Sequence, residues 1–434
     1  MVKHGDIARS AGKGSMGTIH RLYVGIDSHS QTHKVALIPA EDLQNHQKSL
    51  KKSELLDVCN SLSDFRRLGR AIRKYTSVAN EVVIGIDSCG FYTLPITYYL
   101  QSLEFRVFYM EQKLSKTSRG YLFDLENKSD VIDAIRIAYL LYLKDLAGSL
   151  FRSTALKVPD FDSKASILHT LILHRQQYNK LIAQSTNRLH VFLIGIFPEA
   201  EKQYFTRLLR ILPHYPTPQE IARSRGMRKV NGVGTATKNA IKELARETVG
   251  IPAWNYRTLI LNLCRQREQA LAWRKEISDS IEKEVNEHPY GAVLLSFPCF
   301  GTVAAATIIG MIGDIERWAS DKKLKKALGL YGTFQESGKS LSLRKPGRGG
   351  NRLCKTALYQ VVMRCLTDKA PENDFKDYYR RKVSRGKSKI SAIVSTMGKL
   401  TEIMYHCLKT GEPYCYKGIY KKSRDKIKKM DQET

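Results

Sequence analysis

The chain has 434 residues, enough for two or three domains, and its 42% of apolar residues excludes a disordered tail. Its 71 Lys and Arg residues against 42 Asp and Glu residues give a net charge of +29. Because each neutralised phosphate releases counterions, this surplus favours a nucleic-acid partner over an anionic membrane surface. The eight cysteines are scattered without a Cys-x-x-Cys pair, which indicates reduced cytosolic thiols and excludes a disulfide framework or a zinc knuckle.

The N-terminal third alternates strand-like and helix-like segments after a polar leader over residues 1–20 that lacks an apolar signal core. The predicted elements, in chain order, are a hairpin of LYVGID and THKVALI, a helix over 53–76, a buried strand EVVIGID, a helix from Tyr92 to Leu103, a strand FRVFYM, and a helix from Asp130 to Leu143. This order predicts an α/β layer architecture with a largely buried sheet.

From about residue 160 the sequence becomes helical and charged. Residues 164–195 and 255–287 predict two long helices, whose imperfect heptads leave an antiparallel coiled coil and a plain bundle equally open. Two Gly-turn-helix elements, Asn231–Gly234 and Pro298–Gly301, resemble helix-hairpin-helix turns, which offer backbone N–H groups to a phosphate. An ordinary tight loop is the alternative for each.

One uncharged segment, Leu294 to Gly313, is a candidate membrane span. Pro298 and Gly301 break its first third, so the remaining helix is far shorter than the ~20 residues that a span needs. The segment is therefore predicted to be the core of a soluble domain, with no membrane partner.

Four aspartates occupy positions typical of a metal site. Asp27 and Asp87 each end a β-rich run in a Gly-Ile-Asp sequence, at the sheet edge where α/β proteins bind ligands. Asp130 and Asp133 lie in the first turn of a helix and share a face. Four converging carboxylates repel one another unless divalent cations such as Mg²⁺ neutralise them. Considered alone, Asp130 and Asp133 fit the N-cap and N3 positions of a helix capping box. Considered with Asp27 and Asp87, they favour a metal site.

Two histidines, His29 and His33, have the i,i+4 spacing of zinc ligands. They lie in a predicted turn and strand, without the Glu-bearing helix that such sites use. Structural or surface histidines are the preferred interpretation.

The segment FQESGKSLSLRKPGRGGNR is a Gly-rich basic loop suited to a phosphodiester. The residues alone do not choose among Ser337, Ser340 and Ser342 as a nucleophile, and a solvated loop serine is the alternative. The cations predicted to contact nucleic acid are in this loop Lys339, Arg344, Lys345, Arg348 and Arg352, and in the later basic segment Arg380, Arg381 and Lys382. That later segment, Tyr378 to Lys389, interleaves aromatic residues as stacking surfaces do, although a solvated charged face is the common alternative.

Several motifs carry a resemblance to a known family. YVGIDSHSQTHKVAL and KSDVIDA resemble the DEDD transposases of insertion-sequence family one-ten, the bridge-RNA-guided recombinases, and their relatives the Piv-type DNA invertases. The block from Leu294 to about residue 340 is similar to the C-terminal domain of that family. The similarity spans about residues 21–370, with two departures: Asp87 stands where Glu is usual, and Pro298-Cys-Phe-Gly301 replaces Pro-Gly-Ile/Val-Gly.

The resemblance implies a ribonuclease-H-like (RuvC-like) domain in which Asp27, Asp87, Asp130 and Asp133 bind Mg²⁺, with Mn²⁺ as a substitute. It also implies that Ser337 attacks DNA and forms a covalent phosphoserine link. The expected division is a leader (1–20), a RuvC-like DEDD catalytic domain (21–155), a helical or coiled-coil region (156–290) with an insertion (205–255), a mostly α C-terminal transposase domain with a helix-hairpin-helix-like turn (291–415), and a basic tail (416–434).

The partners implied by the resemblance are donor and target DNA and a structured noncoding guide RNA. A homodimer or homotetramer, cytoplasmic and nucleoid-associated in a bacterium or archaeon, is expected with them. Two alternatives stay open: a junction-resolving nuclease or DNA invertase without guide RNA, and a non-enzymatic nucleic-acid-packaging protein.

Overall fold

The computed structural model divides into two compact units, Met1–Phe161 and Asp162–Thr434. The first carries a mixed α/β sheet and the second is mostly helical. The boundaries expected at residues 155 and 290 stay predictions. The structure describes residues 21–44, 53–87, 90–110, 129–146, 156–157, 163–330, 332–335, 343–346 and 350–418.

The first unit is built on a six-stranded sheet with the strand order β3-β2-β1-β4-β5-β6. The strands are β1 (Leu22–Ser28), β2 (Thr32–Pro39), β3 (Glu54–Cys59), β4 (Val82–Asp87), β5 (Arg106–Met110) and the two-residue β6 (Leu156–Lys157). β1, β2 and β3 pair antiparallel, whereas β4 and β5 run parallel to β1. The predicted hairpin and the two later strands are confirmed.

Four helices in the described part of this unit flank the sheet: α1 (Ala40–Leu43), α2 (Leu62–Arg73), α3 (Leu94–Ser102) and α4 (Asp130–Leu146). Side chains alternate along a strand, so β1 contributes to two cores. Val24 and Ile26 share one core with Leu68 of α2. Tyr23 lies in the other core, with Ala134 of α4. Both faces of the sheet are therefore buried, as the sequence predicts.

The helix predicted over residues 53–76 is wrong in its first part. Residues Glu54–Cys59 form β3, and the helix begins only at Leu62, where the Ser61 side chain accepts a hydrogen bond from the Asp64 backbone N–H at 3.3 Å. Pairing of β3 with β2 satisfies its backbone groups in the sheet, and this long-range pairing overrides the helical spacing of its apolar residues.

Glycine brings α4 close to the sheet. A Cβ at Gly25 of β1 would overlap the carbonyl oxygen of Ala134 on α4, so no larger residue fits without moving the helix. A Cβ at Gly85 of β4 would lie 2.9 Å from side-chain atoms of Ile137 and Leu141. The Gly-Ile-Asp sequences thus place a close-packing glycine two residues before each strand-end aspartate.

The second unit contains eleven described helices and a two-stranded hairpin. They are α5 (Lys164–Ile196), α6 (Pro198–Ile211), α7 (Pro218–Arg223), α8 (Thr235–Arg246), α9 (Arg257–Asn286), α10 (Pro289–Leu295), α11 (Thr302–Ile312), α12 (Asp321–Ala327), α13 (Arg352–Cys365), α14 (Asp374–Ser384) and α15 (Lys389–Thr410), with β7 (Gly332–Gln335) pairing β8 (Leu343–Pro346). Single 3₁₀ turns occur at Ala79–Glu81, Gly90–Thr93, Trp254–Tyr256 and Ile315–Arg317.

The two long helices α5 and α9 pack as an antiparallel hairpin. The Arg175 Nε donates to Ser278 Oγ at 3.0 Å, and nearer the other end Ser185 Oγ lies 3.2 Å from Gln266 Oε1. The segment predicted as an insertion, 205–255, joins the hairpin at that end in a separate apolar core. Whether it is an insertion stays a prediction.

The uncharged segment from Leu294 to Gly313 forms the end of α10, a turn and α11. Its apolar residues lie mainly in the large core that α11 shares with α13 and α15. Among the described residues, no helix combines the length and apolar character needed to cross a membrane. The seven cysteines in the described ranges are free thiols.

Candidate active site

Asp27 and Asp87 lie at the same edge of the sheet. β1 and β4 are parallel neighbours with Ile26 opposite Ile86, so the next residue on each strand is an aspartate at its carboxyl end. Each aspartate lies two residues after a glycine that packs against α4, Gly25 or Gly85. Because residues two apart on a strand share a face, both aspartate side chains lie on the face that α4 covers. Asp27 is buried, at 7% exposure, and Asp87 is half-buried.

The other two aspartates occupy the first turn of α4. The Asp133 backbone N–H donates to the Ser129 carbonyl at 3.0 Å, so Ser129 precedes the helix and Asp130 is its first residue. The N-cap predicted at Asp130 therefore lies one residue earlier, at Ser129. The buried Asp133 carboxylate lies 2.5 Å from the Arg136 guanidinium, one turn further along the same helix. This contact fixes the direction of the Asp133 carboxylate.

Asp27, His29 and Asp130 form a group that could hold a cation. One potential ligand atom from each lies within 4.8 Å of the other two, and the His29 Nε2 is 3.7 Å from an Asp130 carboxylate oxygen. A structural or surface role was predicted for His29, and its side chain is exposed. Its position two residues after Asp27, at the same strand end, is the sequence feature that brings it near this group. His33 is fully buried and its Nε2 lies 2.9 Å from Asn60 Oδ1, which confirms a structural role.

The electrostatics of Asp27 show that the other three aspartates lie close enough to act on it. Burial raises the pKa of Asp27 from 3.8 to about 6. The His29 charge opposes this shift, and the negative charges of Asp133, Asp130 and Asp87 add to it. Carboxylate oxygens are the donors that suit Mg²⁺ and Mn²⁺, and the single imidazole nitrogen is a donor that favours transition metals. The residues present therefore fit a divalent cation.

The raised pKa of Asp27 predicts that ionising this group destabilises the metal-free protein. The stabilising contribution of the protonated form is complete below the unfolded value of 3.8 and is lost as the pH rises through about 6. In EDTA at about pH 7.5, Asp27→Asn is expected to unfold several degrees above wild type, and the gap should narrow at about pH 4.5. Thermal unfolding at both pH values measures this; a gap that widens on acidification contradicts it.

The predicted nucleophile, Ser337, lies outside the described residues, as do Lys339 and Arg348. Arg344 and Lys345 are on β8. The remaining predicted cations begin α13 or lie on α14, and these are Arg352, Arg380, Arg381 and Lys382.

The α14 segment combines cations with an aromatic ring. The Arg381 guanidinium and the Lys382 ammonium lie 5.3 Å and 5.0 Å from the centre of the Tyr378 ring. Arg352 and Arg380 are exposed. Arg381 and Lys382 are half-buried. Arg352 and Arg380 are thus the predicted cations that the structure places in solvent, as contact with nucleic acid requires.

Two family models match this chain. Residues 24–198 match the DEDD transposase model of IS110 elements, and residues 291–380 match the transposase IS116/IS110/IS902 family. The first match includes all four aspartates of the site. The chain is therefore a transposase, a member of a class of enzymes that cleave and join DNA.

Curated relatives agree with this class. A 43.6 kDa protein of insertion element IS110 of Streptomyces coelicolor is 24% identical over 307 residues, which is 68% of this chain and 73% of that protein. The 44.8 kDa protein of insertion element IS116 of Streptomyces clavuligerus is 24% identical, covering 57% of this chain and 65% of its own length. The 42 kDa protein of IS900 of Mycobacterium paratuberculosis is 23% identical, covering 48% and 53%. The chain belongs to the IS110/IS116 family of insertion-element transposases.

Proposed function

We propose that this transposase is a site-specific DNA recombinase that binds Mg²⁺ through Asp27, Asp87, Asp130 and Asp133 and attacks DNA through Ser337. The observation that carries the proposal is the convergence of the other three carboxylates on Asp27, whose pKa burial and these negative charges raise to about 6. The strand order, with three antiparallel strands followed by two parallel to β1, supports a ribonuclease-H-like, RuvC-like unit.

The four aspartates would hold the cation, Mg²⁺ or Mn²⁺, through their carboxylate oxygens. When bound, the cation supplies positive charge that orients a DNA phosphate and stabilises negative charge on it. The protein holds the ligands in place before the cation binds. Asp27 is buried at the sheet edge, and the Arg136 guanidinium orients the Asp133 carboxylate. Asp87 has one methylene less than the Glu that the family resemblance leads us to expect, so it reaches less far into the site.

The serine step supplies the covalent chemistry. The Ser337 oxygen forms a bond to a backbone phosphorus, the bond from that phosphorus to one strand's oxygen breaks, and the proton lost by the serine is balanced by the proton that the departing oxygen takes up to become a hydroxyl. The phosphoserine ester conserves the bond energy, so the hydroxyl of another strand reverses the attack and joins the new pair of ends. Supporting this role are the family resemblance and two basic residues of the same sequence segment, Arg344 and Lys345, which lie on β8.

A structured guide RNA would direct the choice of target by base pairing, while the protein contacts the backbone. The net charge of +29 supports binding of DNA and RNA at the same time. A homodimer or homotetramer would bring together the strands that are cut and joined.

Purification from the native host tests this function. The protein is expected to carry one discrete RNA species, identified by sequencing, and nuclease removal of that RNA should abolish target-specific recombination. A protein of similar charge from the same host, purified in parallel, controls for non-specific RNA. If no discrete species is enriched and recombination persists, the protein is an invertase or a resolvase without a guide.

A further inference from the structure

The second unit contains a groove along α13, here named the α13 groove. Its cavity is about 420 Å³, within the range of ligand sites and too small for a nucleic-acid duplex. Helices α5, α11 and α13 supply its walls. The lining residues that matter for binding are Arg175, Asn179, Gly301, Thr302, Arg352 and Arg364.

The charged residues that line the α13 groove are all arginines. Arg352 and Arg364 mark its two ends, and twelve residues of helix separate them by roughly 18 Å. Arg175 contributes a third guanidinium from α5, and no lining residue is acidic. Within the described residues, none of these three arginines forms an ion pair with a carboxylate.

A fourth arginine adds to this charge. Arg274 lies beside Arg175, and burial followed by repulsion from Arg274 lowers the pKa of Arg175. The Arg274 guanidinium also donates to Asn179 in the groove wall at 3.4 Å. Neither of these two half-buried cations forms an ion pair within the described ranges, and a bound anion would offset their mutual repulsion.

The end of α11 adds backbone donors. Gly301 is the N-cap of α11 and has no side chain that could accept a hydrogen bond. The backbone N–H groups of the first turn, such as those of Thr302 and Val303, therefore receive no hydrogen bond from an N-cap side chain. A Cβ at Gly301 would meet no atom within 4 Å, so this helix end opens into free space in the groove. The helix dipole favours a phosphate there.

We propose that the α13 groove binds the sugar-phosphate backbone of a single DNA strand. The separation of Arg352 and Arg364 suits a chain of several phosphates better than one free phosphate, and the absence of aromatic lining residues indicates contact with the backbone, without base stacking. The inference rests on the proposed function, because strand cleavage supplies the single strands. Of the groove arginines, only Arg352 was predicted from the sequence.

The test measures binding of a twelve-residue oligo-dT to the full-length protein in EDTA, by fluorescence anisotropy over a range of salt concentrations. Arg352→Gln combined with Arg364→Gln is expected to weaken binding and to reduce the slope of log affinity against log salt by about 1.4, since each phosphate contact on a single strand contributes about 0.7. The matched control replaces Arg70 and Arg73, on the first unit's α2, with Gln and removes the same charge.

Equal changes in the groove pair and the control pair overturn the proposal. So does a loss that appears with oligo-rU of the same length and not with oligo-dT, because the groove would then be an RNA site. Arg352→Lys with Arg364→Lys should restore the slope, which excludes misfolding as the cause. Asp130→Asn should bind oligo-dT as wild type does, so failure of the catalytic proposal and failure of this one give different results.

Discussion

Replacing Asp130 by Asn is expected to lower metal-dependent DNA cleavage by more than about 100-fold, because even residues that only support a metal ligand change activity about 10–100-fold. Asn keeps the size of the side chain and remains acceptable at the start of α4. The variant should therefore fold normally and bind DNA at least as well as wild type, since one negative charge is removed. Cleavage of a supercoiled plasmid carrying the element ends, with and without Mg²⁺, measures the effect.

The matched control for this prediction is Asp145→Asn, at the other end of the same helix. Asp145 accepts hydrogen bonds from Arg21 at 2.9 Å and from the Tyr23 hydroxyl at 3.0 Å, so its loss costs stability but touches no proposed ligand. Thermal unfolding separates the two effects. If Asp130→Asn cleaves DNA like wild type, then Asp130 serves only the helix end and the packaging alternative gains support.

The meeting of Asp27, Asp87 and the α4 aspartates was predictable because each step depends on local geometry. Strand alternation fixes which face a side chain occupies, and the parallel pairing of β1 with β4 aligns Ile26 with Ile86. The pairing of Arg136 with Asp133 was also open to prediction, because the two residues have the i,i+3 spacing of a helical ion pair. The burial of both side chains was not, since it depends on how α4 packs against the sheet.

The elements that the sequence did not predict depend on contacts between distant residues. β3 looks helical by itself and becomes a strand only because β2 offers an unpaired edge. The choice between a coiled coil and a bundle for α5 and α9 was open for the same reason. In the α13 groove, Arg175 and Arg364 come from helices far apart in the chain, and no spacing rule links them.

Ser337→Ala is expected to abolish recombination, with a loss of at least about 1,000-fold, because the nucleophile that forms the covalent link is removed and only residual positioning remains. The metal site is untouched, so the Mg²⁺-dependent rise in unfolding temperature should equal that of wild type. Trapping of a protein–DNA covalent species on denaturing gels is the direct measurement. Wild type should give the band and Ser337→Ala should not.

Two neighbouring serines provide the controls for this last prediction. Ser340→Ala and Ser342→Ala alter the same basic segment and remove the same hydroxyl, yet they should retain the covalent band and recombination. If Ser337→Ala still cuts DNA in Mg²⁺ without any covalent species, water is the nucleophile and the protein is a junction-resolving nuclease. If the band is lost only in Ser340→Ala or Ser342→Ala, the family correspondence is shifted along the segment, and the acidic site keeps its role with a different serine.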